Sequence, residues 1–137
     1  MRIVTEHDEL THAIIGCAMR VHSALGNGFP EVIYQNALAL ELERGKLTFV
    51  REAHLPVYYL DTQIGARRVD FLVADRVLVE LKAVTALGPD TFAQIINYLK
   101  SYRLEVGLLL NFGQTSFVHK RFLRTPPDRA SSSTNNP

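Results

Sequence analysis

Glu80 and Lys82 stand two residues apart in "LVADRVLVELKAV", residues 72–84, a strongly aliphatic stretch. On a strand such a pair shares one face, and Val79 and Leu81 take the other. Lys and Glu are seldom buried unless paired, and an unpaired buried charge is costly. Asp70 lies upstream, before a short Ala74-Asp75-Arg76 turn. If that turn centres on Asp75, Asp70 sits opposite Glu80, with Cβ atoms about 4.5–5.5 Å apart. A two-residue turn would shift the register by one. Two carboxylates so close repel in water and become reasonable around a hard divalent cation. Mg²⁺ suits them, with Mn²⁺ as a substitute, because it takes a few carboxylate oxygens and keeps room for water and phosphate. The chemistry would be phosphodiester hydrolysis. The cation makes water easier to deprotonate and stabilises charge on a phosphoryl oxygen, while Lys82 orients the water or stabilises the transition state. The plainer alternative is a Glu80–Lys82 ion pair on a solvated strand face with Asp70 beside it. The aliphatic flanks argue for an interior strand and so for the site.

Other residues could join this set. Gln94 and Tyr98 are four apart on the next helix and share a face, where a Gln could bond the lysine, the water or a nucleic-acid backbone. Glu31 opens the second helix with Tyr34 three residues on. Glu31 is either a favourable charge at a helix N-terminus, worth about 0.3–1 kcal/mol, or a further acid for the metal. Arg20, Arg51, Arg67, Arg68, Arg103 and the Lys120-Arg121 pair could touch phosphates, though a solvated surface explains each. His22 reads as a helix-end or core histidine, His119 as exposed, and Tyr58 and Tyr59 as strand packing.

The elements that position these residues follow from hydrophobic spacing. Leu10, Ile14, Cys17, Val21 and Leu25 predict a helix over 8–25, with Asp8 as N-cap. "LGNGFP" breaks it, and a second helix runs from Pro30 to a stop at Gly45. Apolar residues surround much of this helix, which predicts burial on more than one side. "LTFVREAHLPVYYL" reads as a strand whose Pro56 argues for an edge or bulge. "ARRVDFLV" and "RVLVELKAV" form a hairpin. "GPDTFAQIINYLKSYR" is a third helix with Phe92, Ile95, Ile96, Leu99 and Arg103 on one face. "EVGLLLNF" is an interior strand, and "SFVHKRFL" alternates as a last one. The result is an α/β fold, a mixed sheet with helices on its faces. Its crossover is right-handed if the two strands joined by the third helix are parallel.

A chain of 137 residues is one domain by length, assigned here to residues 1–124. The segment 125–137 has no apolar content to bury and is expected to be disordered. The net charge of +1 gives no global basic field, so nucleic-acid contact needs a local patch. One cysteine, Cys17, excludes a disulfide framework and disfavours a cysteine zinc site. No apolar run approaches the ~18 residues of a membrane span, and no signal peptide is evident. No membrane partner is expected, and a cytoplasmic setting is. "GNGF" lacks the preceding strand of a phosphate-cradling loop.

"GFPEVIY", Gly28 through Tyr34, matches the G-x-x-E-x-x-Y signature, and the chain resembles the GxxExxY proteins of the PD-(D/E)XK nuclease superfamily. "VHSALGNGF", "VDFLV", "VELKAV", "AQIINYL" and "GLLLNFG" look like the family's blocks in its order, over residues 8–124. The resemblance implies a restriction-endonuclease-like αβββαβ core. It places metal binding on Asp70 and Glu80, the assisting lysine at Lys82, the acid of the first core helix at Glu31 and the Q-x-x-x-Y element at Gln94 and Tyr98, with Tyr34 in support. Val69 stands where the superfamily name has Pro, and Asn27 and Pro30 replace the residues more usual at the glycine turn. The expected activity is metal-dependent hydrolysis of nucleic acid, DNA ahead of RNA. The alternative is a non-catalytic nucleic-acid-binding or regulatory module on the same fold. A homodimer with two active sites is a further option that the sequence leaves open.

Overall fold

The β-hairpin that carries Asp70 and Glu80 forms the middle of the sheet. The computed structural model describes residues 6–124, with side chains from residue 8 onward. The expected disordered segment 125–137 lies outside those residues. The elements are α1 (Glu6–Leu25), α2 (Glu31–Arg44), β1 (Phe49–Tyr59), β2 (Thr62–Val73), β3 (Val77–Lys82), α3 (Pro89–Tyr102), β4 (Val106–Asn111) and β5 (Val118–Leu123). The five strands lie in the order β1-β2-β3-β4-β5. Only the β3–β4 pair is parallel, as a crossover through α3 requires. Pro56 falls on β1, an edge strand, where its missing N–H costs no interior ladder bond.

Sheet residues divide between two cores. Phe71, Val73, Val77, Val79, Leu81, Val106, Leu108 and Leu110 pack beneath α1 and α2. Val69, Leu72, Leu78 and Ala53 pack against Tyr98 and Leu99 of α3. β4 is buried along its whole length, which explains why it reads as a continuous apolar run. α3 seats on β4 at Gly107, where an added Cβ would lie 3.0 Å from Ile95 Cγ2 and 3.3 Å from Leu99 Cδ2.

Several expectations are corrected. Helix α1 already includes Glu6, so Asp8 is inside it rather than at its cap, and its carboxylate pairs with Arg121 at 2.7 Å. α2 is buried on one side only, through Tyr34, Gln35, Leu38, Ala39 and Leu42, while Val32 and Leu40 are exposed. On α3, Tyr98 is buried with Ile95 and Leu99, and of the predicted face Ile96 is exposed while Arg103 lies just past the helix as its C-cap. β2 starts at Thr62, before the predicted Ala66, because β1 and β2 form one long hairpin around a turn in which Leu60 and Asp61 have φ of 49° and 61°. Tyr58 and Tyr59, expected in strand packing, are 59% and 64% exposed near its tip. His22 is buried as a core histidine, its Nε2 2.9 Å from the Gln114 carbonyl, and His119 is exposed.

The seat of α3 on β4 gives the first prediction. Gly107→Val should destabilise the chain by about 1–3 kcal/mol through overpacking, read as a lower denaturant midpoint with an unchanged m-value. An unchanged midpoint would show that α3 is not packed this closely.

Candidate active site

The β2–β3 ladder pairs Val73 with Val77, Leu72 with Leu78 and Phe71 with Val79. The same register carried one step further sets Asp70 opposite Glu80. The tight turn makes this possible through Ala74 and Asp75, with φ of 53° and 56°, closed by the Arg76 N–H on the Val73 carbonyl. At Asp70 the backbone ladder gives way to side chains. The Asp70 N–H donates to Glu80 Oε1 at 2.9 Å, and the Leu81 N–H donates to Asp70 Oδ2 at 2.8 Å. Each carboxylate thus satisfies a backbone donor of the opposite strand.

The sheet also changes face here. Val69 joins the core under α3, while Phe71, two residues on, joins the core under α1 and α2. Across on β1, Glu52 has a φ of 53° and is missing from the ladder that pairs Arg51 with Phe71 and Ala53 with Val69. A non-glycine residue in this left-handed region marks a local departure from strand geometry. Glu52 is held by Arg68 at 3.0 Å.

Helix α2 supplies the third side. Gln35, 8% exposed, donates from Nε2 to Asp70 Oδ1 at 2.9 Å. Its own Oε1 accepts from Arg51 Nε and Nη2 at 3.0 and 2.8 Å, and the same Nη2 also bonds Asn36 Oδ1. Arg51 is therefore part of a relay that fixes the Asp70 carboxylate, not the solvated surface residue expected. Glu31, the first residue of α2, lies one turn before Gln35 and lines with it, Asp70, Glu52 and Arg68 a pocket of about 280 Å³.

The electrostatics make these acids one group. Burial, and next the neighbouring Asp70 charge, push the Glu80 carboxyl from 4.5 up to about 7, with Lys82 and the Asp70 N–H opposing the shift. Glu31 is raised too, first by burial and then by Asp70, while Lys82 opposes. Lys82 is thus the cation these carboxylates feel. Among the described residues no three His, Cys, Asp or Glu side chains stand close enough to form a ready-made metal cage. The donor set suits a hard cation held through one or two carboxylates, its remaining positions left to water and phosphate oxygens.

The other predicted residues fall around this centre. Tyr98 is near enough for the Glu80 charge to add to burial in raising its hydroxyl pKa. Gln94, one turn earlier, is exposed and lines a second groove together with Tyr98. Tyr34 turns away from the acids. Its hydroxyl donates to the Gly26 carbonyl at 2.6 Å and accepts from the Phe29 N–H at 3.2 Å, and its ring stacks on Phe112 at 4.7 Å. It clamps the glycine turn, in which Gly26 and Gly28 have φ of 67° and 111°, so that Pro30 caps α2 and Glu31 begins it.

Sequence reasoning missed the support at the end of β3. Asn111, fully buried, accepts from the Val84 and Gly113 N–H groups through Oδ1 at 3.1 Å each. Its Nδ2 donates to the Val84 carbonyl at 3.0 Å. Phe112 N–H closes on the Lys82 carbonyl at 2.8 Å. A Cβ on Gly113 would sit 2.2 Å from Val84 N, so only glycine lets the two segments meet. "LLNFG" is the signal: an amide followed by glycine at the end of an apolar strand.

The profile of the PD-(D/E)XK nuclease superfamily matches residues 8–124. The chain belongs to this superfamily. Two solved structures share the architecture. The protein SSO0001 aligns with a TM-score of 0.55 at 16% identity, covering 74% of this chain and 53% of its own. This chain therefore spans about half the length of that neighbour. The alkaline exonuclease LHK-Exo of Laribacter hongkongensis aligns with a TM-score of 0.52 at 11% identity, covering 97% of this chain and 77% of its own. A comparison with curated protein sequences finds no match. The superfamily member is α/β, its mixed five-stranded sheet flanked by helices in a restriction-endonuclease-like arrangement. No helix among its described residues is long and apolar enough to cross a membrane.

The raised Glu80 carboxyl predicts a pH effect on the metal-free chain. Its folded pKa of about 7 exceeds the unfolded value near 4.5, so the folded state holds the proton more tightly. The associated stability is present below about pH 4.5, falls as the pH rises, and is lost above about pH 7. Glu31 adds in the same direction. Urea titrations across this range should show the fall, up to roughly 3 kcal/mol for Glu80, and Glu80→Gln should flatten most of it. Equal slopes for the two chains would contradict the assignment.

Proposed function

We propose that this chain is a metal-dependent nuclease. The reading rests on one observation: two carboxylates meet across the β2–β3 hairpin, each accepting a backbone N–H of the opposite strand, with Lys82 two residues beyond Glu80 on the same strand. Asp70 and Glu80 would hold a divalent cation, Mg²⁺ with Mn²⁺ as its substitute, and Glu31 would add a carboxylate through water or directly. That cation would supply Lewis-acid stabilisation of the phosphoryl oxygens and lower the pKa of the attacking water. Lys82 orients the water and offsets negative charge that builds during attack on phosphorus. Gln35 and Arg51 hold Asp70 in place, while Gln94 faces the nucleic acid and the buried Tyr98 supports the helix behind it. The proposed substrate is nucleic acid, DNA before RNA. Within the superfamily we place the chain among the GxxExxY proteins, supported by the geometry of Gly28, Glu31 and Tyr34. The setting we propose is the cytoplasm.

A second reading, a nucleic-acid-binding or regulatory module without turnover, draws on the same bonds: each carboxylate already satisfies a backbone donor without a metal. Incubation with single- and double-stranded DNA and RNA in Mg²⁺ or Mn²⁺ separates the two. Nuclease action predicts cleavage that Lys82→Ala lowers at least about a hundredfold. Equal residual cleavage by both chains on every substrate would overturn it. Calorimetry adds an independent check. Mg²⁺ uptake should be lost in Asp70→Asn, whereas a module with no metal role shows no carboxylate-dependent uptake.

A further inference from the structure

A second groove lies on the α3 side of the sheet, between that helix and the β1–β2 hairpin. It has a volume of about 380 Å³, the size of a small-ligand site. One wall is the hairpin, through Val57 and Arg67. The other is one face of α3, where Gln94, Asn97 and Ser101 recur at three- and four-residue spacing. Tyr98 and Tyr102 also line it, with ring centroids 5.7 Å apart. The positive charge of Arg67 acts on both tyrosine hydroxyls, and the negative charge of Glu80 acts on Tyr98. Tyr98 also shares a buried cluster with Val69, the residue before Asp70, so the groove opens beside the proposed hydrolytic centre.

We infer that this groove holds one unpaired nucleotide of the strand whose phosphate lies at Glu80. The inference rests on the nuclease reading and narrows its substrate to single-stranded or frayed nucleic acid. Each wall matches one part of a nucleotide. The half-buried Tyr102 ring, backed by the buried Tyr98 ring, gives an apolar surface for a base to stack on, a contact that tolerates any sequence. The amides of Gln94 and Asn97 and the Ser101 hydroxyl offer both donors and acceptors, which suits the polar edge of a base taken out of a helix. Arg67 supplies a cation for a phosphate, and among the described residues the acid lining the groove is Asp90, in the first turn of α3. A base stacked within a duplex cannot enter between a hairpin and a helix, so the groove selects unpaired strands.

Fluorescence anisotropy of labelled 12-mers, run in EDTA to prevent hydrolysis, tests this on the full chain. DNA and RNA strands form separate arms, and tight binding of either unpaired strand satisfies the inference. The wild-type chain should bind an unpaired strand at least about tenfold more tightly than its duplex. Asn97→Trp, which fills the groove from an exposed helix position, should weaken that binding about tenfold while leaving the melting temperature within a few degrees. Arg67→Ala should lower the slope of log affinity against log salt by about 0.7. No preference for the unpaired strand, no binding of either strand, or equal binding by wild type and Asn97→Trp would overturn the inference. If Lys82-dependent cleavage is absent yet the Asn97→Trp effect persists, the hydrolytic reading alone has failed. If cleavage depends on Lys82 but Asn97→Trp binds as wild type, the groove reading alone has failed.

Discussion

Where β2 and β3 should continue their ladder, two acids take over the backbone's bonding. Glu80 accepts the Asp70 N–H and Asp70 accepts the Leu81 N–H. A buried N–H without a partner costs about 1–3 kcal/mol, so these bonds let the sheet change face at Asp70 without orphaned donors. They also place two negative groups where repulsion and desolvation must be met. The fold meets them in part by keeping the Glu80 proton to about pH 7, and in part by the Lys82 charge on the same strand. A structural ion pair would need no such imbalance of acids over bases.

The surrounding elements can be understood as holding that arrangement still. Arg51 fixes Gln35, and Gln35 fixes Asp70, so the edge strand β1 and helix α2 both contribute to the aim of one carboxylate. The Tyr34 hydroxyl bridges Gly26 and Phe29, which sets where α2 starts and hence where Glu31 stands. On the other side of Lys82, Asn111 and Gly113 pin the chain that leaves β3. Two of these hydrogen-bond clusters meet the hairpin at Asp70 and just after Lys82, and the third sets the start of the helix that carries Glu31 and Gln35. A catalytic constellation needs such support if its groups are to stay within a fraction of an ångström of their working positions.

Much of this was legible in the sequence because hydrophobic period and turn chemistry act locally. The apolar run of β4 and the three-residue turn at Asp75 each report their own environment, and the second of these set the Asp70–Glu80 register. What escaped depends on contacts far apart in sequence. Nothing in the residues around Arg51 shows that a buried Gln35 awaits it on another element. Tyr58 and Tyr59 have strong strand propensity, but propensity does not say that their hairpin extends past the helices that would cover it. The apolar residues around α2 suggested burial on more than one side, yet a helix on the outside of a single sheet has only one face to bury. Gln94 and Tyr98 share a helical face, and tertiary packing still divides them: Tyr98 is drawn into the core under the sheet, and Gln94 is left in the groove.

Asp70 and Glu80 are proposed to form a cation site and not merely a backbone brace. A crystal soaked in Mn²⁺ and measured for anomalous scattering tests it most directly. A cation site predicts a peak bounded by Asp70 and Glu80, lost in Asp70→Asn crystals. A clean difference map there, with Mn²⁺ bound elsewhere or not at all, would contradict it.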